Sequence, residues 1–450
     1  MMKTFHYSLL LLLSLSVGVW TWAETDGQTI DDTPSTDAPL VELQGHTAEI
    51  ASAVFSQDGK KIVTASSDDT VRMWDAQTGK ELHQWTQEFL LEYPPLSRDG
   101  KKVLTGNLGE KGVLIQIWDA DSDSATFGRE LRKQELMSII FVSNDLKKIV
   151  ATYLEEEGRT GGGVELVQIW DTDSGRMRTL KPKGAASYGA HYGWQPGSQT
   201  AVSPDGTRIV TVRADDDGRS TVVVWDADSG SANFGKELRK LGEATNRPLL
   251  GRRLGRRSAG QDVAALSALF SPDGSKIATH DSDETVRIWD VQSGRELRKL
   301  EGETGDFLSD GKKFATLSGD NIPIWEVSTG KKLATIKGEI NILFSPDGKK
   351  MVTHEDQRDI LWVWDSDSGK KLFESRGVPY AFSPDSKRLV VRDDGSEVAG
   401  VRVLDVESGE GPQRWEGQFG AFSPDSKKII ILTYSNTACV WALTQNKQNQ

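Results

Sequence analysis

The chain has 450 residues, 37% of them hydrophobic and 27% charged, with 54 basic against 66 acidic side chains. A net charge of −12 argues against nucleic acid or an anionic membrane surface as the main partner. The single cysteine, Cys439, excludes an internal disulfide, so stability has to come from packing.

Taken in chain order, Lys3 precedes a leucine-rich run over residues 8–19, and Thr21-Trp22-Ala23 sets small residues at the two cleavage-determining positions. That run is too short to cross a bilayer about 30 Å thick, which takes roughly 20 apolar residues in a helix. Residues 1–23 therefore read as a secretory signal cut after Ala23. No cysteine follows for lipid attachment, and no membrane insertion is expected after cleavage. The expected location is outside the cytoplasm, periplasmic or extracellular. Residues 24–38 hold four Asp, one Glu and no aromatic, a composition that cannot bury enough to order itself, so they are expected to form a flexible acidic tether.

From residue 39 to residue 442 one unit recurs nine times. An apolar strand ends in Phe-Ser-Pro-Asp-Gly or a close relative. A strand like Lys-Lys-Ile-Val-Thr follows, then a polar turn, then a strand like Val-Arg-Ile-Trp-Asp, a Ser-Gly or Thr-Gly turn, and a Lys-Glu-Leu-like strand. The tryptophan of the third strand stands at Trp74, Trp118, Trp170, Trp225, Trp289, Trp325 and Trp364, is replaced by Leu404, and returns as Trp441. The first turn is anchored by Asp58, Asp99, Asp145, Asp205, Asp273, Asp310, Asp347, Asp385 and Asp425. In that turn proline presets φ, aspartate accepts backbone donors and glycine takes the left-handed position. Val286 and Ile288 alternate with Arg287 and Trp289, so the third strand offers an apolar surface on each face. A four-stranded unit cannot cover both faces alone and has to stack on neighbours. Radial stacking predicts an all-β propeller of four-stranded antiparallel blades.

These residues resemble the WD40-repeat family, in a bacterial-type, exported form. The Trp-Asp pair stands at 74–75, 118–119, 170–171, 225–226, 289–290 and 364–365, and the Gly-His pair appears once, as Gly45-His46. The resemblance implies a structural tetrad in the first blade from His46, Ser66, Asp68 and Trp74, incomplete in the others. It also implies ring closure by the N-terminal strand around Leu40-Val41-Glu42-Leu43, which would complete the last blade. Nine motifs point to a single ring of nine, or eight, blades, followed by a polar tail at 443–450.

If the strands of a blade are called a to d, the b–c and d–a connections share one end of the ring. Three b–c stretches at that end, 154–163, 214–220 and 393–400, carry acids: Glu155, Glu156 and Glu157, Asp215, Asp216 and Asp217, and Asp393 with Asp394. A d–a insertion at 242–262 is basic, with Arg247, Arg252, Arg253, Arg256 and Arg257. Long loops on a rigid scaffold are where binding usually sits, and paired arginines grip carboxylates bidentately. This face is expected to hold protein partners, acidic ones at the arginine loop. The bland reading is a solvated insertion that neutralises its acidic neighbours.

Catalysis is not expected. The inner strands read Ala51-Ser52-Ala53-Val54, Ala264-Ala265-Leu266-Ser267-Ala268, Ile340-Asn341-Ile342-Leu343 and Phe419-Gly420-Ala421, small and aliphatic with almost nothing to titrate. No cofactor is implied. Two alternatives stay open: a hydrolase or lyase on the loop face, and a calcium-dependent binding module. The second rests on Asp119-x-Asp121-x-Asp123 with Glu130 at the twelfth position, although Ser124 stands where an EF-hand loop has glycine.

Overall fold

The computed structural model describes residues 38–444 except 89–90, 92–94, 144, 158–161, 182–199, 215–219, 242–264, 338–341, 356–357, 394–398 and 412. They form nine antiparallel sheets arranged as a nine-bladed propeller, which settles the count at nine. The blades span residues 50–86, 102–136, 138–180, 200–241, 265–301, 304–337, 342–376, 378–416 and 418–442, and are called blades 1 to 9. The ninth takes Val41–Leu43 as its outer strand, in the register Val41↔Val440, Glu42↔Cys439 and Leu43↔Ala438. The ring therefore closes as the sequence implies.

Each seam between blades is its own hydrophobic core. The alternation of the c strand decides which side chain enters which seam. In blade 5, Val286 and Ile288 face forward and pack with Phe314 and Trp325 of blade 6. Trp289 faces back, onto Val222 and Val224 of blade 4. The same division holds around the ring, to the closing seam where Trp74 of blade 1 meets Val440 and Ile430 of blade 9. Burying one such side chain fully is worth about 1.5–3 kcal/mol, so nine seams supply the stability that disulfides do not.

Two polar devices repeat across the seams. In eight of the nine a–b turns a serine hydroxyl donates to the turn aspartate, as Ser56 does to Asp58 at 2.6 Å and Ser203 to Asp205 at 2.6 Å. At Asp273 burial alone would raise the carboxyl, but the Ser271 hydroxyl and the Ser275 amide outweigh it and hold it at about 2. The second device is the cation that opens the b strand, which reaches the next blade: Lys61 Nζ donates to the Ala120 carbonyl at 2.8 Å, and Arg388 to the Ser426 carbonyl at 2.7 Å. The lysine pairs of the repeat are thus partly interblade ties, not a free basic surface.

Blade 2 departs from the expected pattern. Among the described residues it has three strands, Lys102–Leu108, Val113–Asp119 and Glu130–Leu136, and its inner position holds the single bridge Leu96↔Val103. Pro95 stands just before that bridge. Proline has no N–H to give a ladder, and the Pro95 carbonyl can only accept, which it does from Leu104 N at 2.8 Å.

The d–a crossings between blades 7 and 8 and between blades 8 and 9 are one residue long, Gly377 and Gly417. Their φ values are 110° and 126°, and a Cβ would fall 2.4 Å from the carbonyl oxygens of Arg392 and Leu432. Only glycine fits there.

Candidate functional site

The best-defined polar network sits in blade 1. Burial lowers the His46 pKa more than Asp68 raises it, so the ring is neutral at pH 7. Burial works against the charge on Asp68, yet Thr70, the Thr47 amide and His46 together bring it to about 2. That fixes the proton order. His46 Nδ1–H donates to Asp68 Oδ2 at 2.9 Å, the Thr64 hydroxyl donates to His46 Nε2 at 2.7 Å, and Trp74 Nε1–H donates to Thr64 Oγ1 at 2.9 Å. Thr64, not Ser66, is the residue between the two rings. Ser66 points elsewhere: its hydroxyl donates to the Ala48 carbonyl at 3.0 Å and accepts from Asp68 N.

The lower half of this network outlives the histidine. Trp118–Thr105, Trp225–Thr211, Trp289–Thr279, Trp325–Thr316 and Trp364–Thr353 repeat the indole-to-hydroxyl bond at 2.8–3.0 Å. A buried indole N–H needs an acceptor, and threonine supplies it without adding charge. The signal was in the sequence, because a threonine recurs at the same place in each of these b strands.

Among the described residues, blade 3 extends furthest at the b–c/d–a end. Its b strand, Lys148–Glu157, and c strand, Gly162–Asp171, are ten residues each, whereas the b strands of the other blades have five to seven. Glu155, Glu156 and Glu157 pair with Val164, Gly163 and Gly162, so they belong to a projecting hairpin and not to the irregular loop expected at 154–163. Continuing the ladder keeps the backbone hydrogen-bonded where a loop would leave it to solvent. Asp215, Asp216 and Asp217, the five arginines Arg247, Arg252, Arg253, Arg256 and Arg257, and Asp394 lie outside the described residues. Asp393, expected in a solvated loop, closes the b strand of blade 8. It lies 3.5 Å from Arg414 Nε and 4.0 Å from Arg402 Nε, both arginines being buried. Sequence reasoning missed these two, because they sit inside strands rather than in a charged run.

The residues of the calcium reading have other work. Asp119 Oδ2 accepts from Ser124 and Thr126 at 2.6 Å each, and Asp121 pairs with Lys101 at 2.9 Å. Ser124, at the position where an EF-hand needs glycine, is one of the donors that saturate Asp119. The connection instead carries Phe127 back onto His83 of blade 1, with ring centroids 5.3 Å apart. Among the described residues no group of three or more His, Cys, Asp or Glu is placed to hold a metal ion.

The inner strands are richer in titratable groups than expected. Asp306 lies exposed on the inner strand Thr304–Phe307 of blade 6, and partial desolvation by the neighbouring strands raises its carboxyl pKa. Ser267, on the inner strand of blade 5, donates to His280 Nδ1 at 2.8 Å, while His280 Nε2–H donates to the Gly305 carbonyl at 3.1 Å. Both side chains are buried, and this hydroxyl–imidazole pair joins blades 5 and 6. Cys439 is buried as expected of a small hydrophobe; burial, with Glu42 beside it, pushes its thiol to about 11.

Comparison with known proteins agrees with this architecture. The family model for the WD domain, G-beta repeat, matches residues 37–75 and 254–290. The chain is 24% identical over 284 residues to the serine-threonine kinase receptor-associated protein of Dictyostelium discoideum, covering 62% of this chain and 80% of that one. It is 24% identical to the target of rapamycin complex subunit wat1 of Schizosaccharomyces pombe, over 46% of this chain and 60% of the relative. A 38% match to protein HIR1 of Yarrowia lipolytica spans only 10% of that protein. Among solved structures, the crystal structure of a eukaryotic initiation factor superposes with a TM-score of 0.55 at 15% identity, covering 84% of this chain and 91% of that one, which speaks for the fold alone.

Proposed function

Taking a nine-bladed ring of WD40 repeats as the premise, we propose that the chain is a non-catalytic, exported scaffold that holds protein partners on its b–c/d–a face. One observation carries the reading: the two ends of the ring differ in kind. At the a–b end, short turns satisfy their own polar groups, as Ser383 does with Asp385 at 2.6 Å. At the opposite end the chain departs from the repeat, in the projecting hairpin of blade 3 and the long d–a insertion between blades 4 and 5. A rigid ring with one irregular face suits recognition more than chemistry. The names of the relatives, a receptor-associated protein and a complex subunit, favour the same class of role.

The grip is assigned to the basic insertion, where Arg247, Arg252, Arg253, Arg256 and Arg257 meet carboxylates of the partner, and to the acids Glu155 to Glu157 and Asp215 to Asp217, which steer its approach. Export rests on residues 1–23, and a bacterial origin on the Ser-Pro-Asp-Gly-Lys-Lys style of the turns. The test is an affinity capture from the host envelope fraction, comparing the mature chain with a variant whose Arg252, Arg253, Arg256 and Arg257 are alanine. A stoichiometric partner held by the parent and lost by the variant supports the reading. Equal retention removes the arginine grip, and no partner at low salt removes the scaffold. A mature N-terminus at Glu24, read by mass spectrometry, checks the export step.

A further inference from the structure

At the a–b end, away from the proposed partner face, blades 8, 9, 1, 2 and 3 together enclose an open cavity of about 490 Å³. Part of its lining is legible in the repeat. The residue before the turn serine is aromatic in blades 1, 5, 7, 8 and 9, as Phe55, Phe270, Phe344, Phe382 and Phe422, but it is Leu96 in blade 2, Val142 in blade 3 and Val202 in blade 4, and the first two of these line the cavity. The smaller side chains of Leu96 and Val142 border the space on the side of blades 2 and 3. Phe55, Leu96, Val142, Leu146 and Phe422 give it apolar walls.

The polar lining is sparse and of one sign. Ser97 and Ser143 are spent inside their own turns, on Asp99 at 2.6 Å and Asp145 at 2.7 Å. That leaves Gln57 and Arg98, which stand in the turn position filled by proline in blades 4, 5, 7, 8 and 9. The Arg98 side chain is exposed. In a chain with more acids than bases, Arg98 is the one charged side chain among the described residues that line this cavity. A pocket of a few hundred cubic ångströms with apolar walls and one placed charge is the usual form of a small-ligand site.

We propose that this cavity binds an amphiphilic carboxylate, its aliphatic chain against Phe55, Leu96, Val142 and Phe422 and its head paired with Arg98. The apolar chain supplies most of the binding energy and the guanidinium selects the anionic head.

Calorimetric titration of the full chain with decanoate, decanol and decyltrimethylammonium, each below its micelle concentration, tests the proposal. One decanoate is expected per chain, with decanol weaker by about tenfold and the cation weaker still. Arg98→Gln should bring decanoate down to the level of decanol while leaving decanol unchanged. Val142→Phe, which restores the ring present in other blades, should remove binding of both, and Leu96→Phe serves the same purpose should Val142→Phe not fold. Absence of saturable decanoate binding, equal affinity for acid and alcohol, or binding unaffected by both the Arg98 and the phenylalanine variants would overturn it. None of these readouts depends on the arginine insertion or its partner.

Discussion

Blade 1 and blade 8 hold the same place in the repeat and solve its central problem in opposite ways. In blade 1 the back-facing side chain is Trp74, whose N–H is passed through Thr64 and His46 to the ionised Asp68. In blade 8 it is Leu404, and the residue at the place of Thr64 is Val391; both are fully buried in the seam with Leu361 and Val363. In blade 8 tryptophan and threonine leave together, whereas blades 3 and 9 keep Trp170 and Trp441 with Ala151 and Ile431 at the threonine position. A buried hydroxyl is worth having only while an indole needs it, and an unpaired one costs about 1–3 kcal/mol. The lesson is that the seam demands volume first, and the threonine hydroxyl is kept in six of the eight blades that carry the tryptophan.

The comparison is tested most severely by truncation. Trp74→Ala should destabilise by about 3–5 kcal/mol, and Leu404→Ala by about 2–5 kcal/mol and less than Trp74→Ala, read from denaturant midpoints. If the two cost the same, the network adds nothing beyond volume. Next in size, Thr64→Val should cost about 1–3 kcal/mol by stranding Trp74 Nε1 and His46 Nε2. Val391→Thr should also destabilise, and adding Leu404→Trp should recover part of that loss. A double-mutant cycle with no coupling energy would separate the two residues.

A third test uses pH, because the b–c hairpins of blades 1 and 5 carry carboxylates of opposite sense. Asp68, held at about 2, contributes stability that is full above the unfolded value and is lost as pH falls from about 4 to about 2. Asp281 is raised to about 6 by burial, against the pull of Arg287 at 2.7 Å. The folded state keeps its proton where the unfolded chain releases it, so stability falls as pH rises from about 4 to about 6. Asp281→Asn should flatten that slope and raise the midpoint at pH 7 relative to wild type. An unchanged slope would mean that Arg287 holds Asp281 ionised throughout.

The smallest effect is expected in the turns. Ser386 and Ser426 occupy the left-handed position with φ of 62° and 58°, where six other blades have glycine and blade 3 has Leu146 at 54°. Each hydroxyl accepts from a backbone amide of the preceding blade, Asp347 N and Asp385 N, at 3.1 Å. Ser386→Ala keeps the strain and loses the bond, for about 1 kcal/mol. Ser386→Gly loses the bond but relieves the strain, and should lie within about 0.5 kcal/mol of wild type in the same unfolding measurement.

Local periodicity determined much of this protein. Strand alternation, the Asp-anchored turns and the nine copies of the unit follow from side-chain size, φ preference and hydrogen-bonding capacity, all written residue by residue. So does closure by Val41–Leu43, since a last blade one strand short needs a partner edge. The tertiary structure decided what depends on which atoms face each other across a seam. It placed Thr64 rather than Ser66 between His46 and Trp74, because two residues along a strand share a face but differ in height, and only one reaches the indole. It turned Lys61 and Arg388 from surface charge into ties between blades, and it brought Leu96 and Val142, where five other blades have an aromatic ring, together at one cavity. Distance between residues far apart in the chain is set by packing, and a one-dimensional pattern carries no record of it.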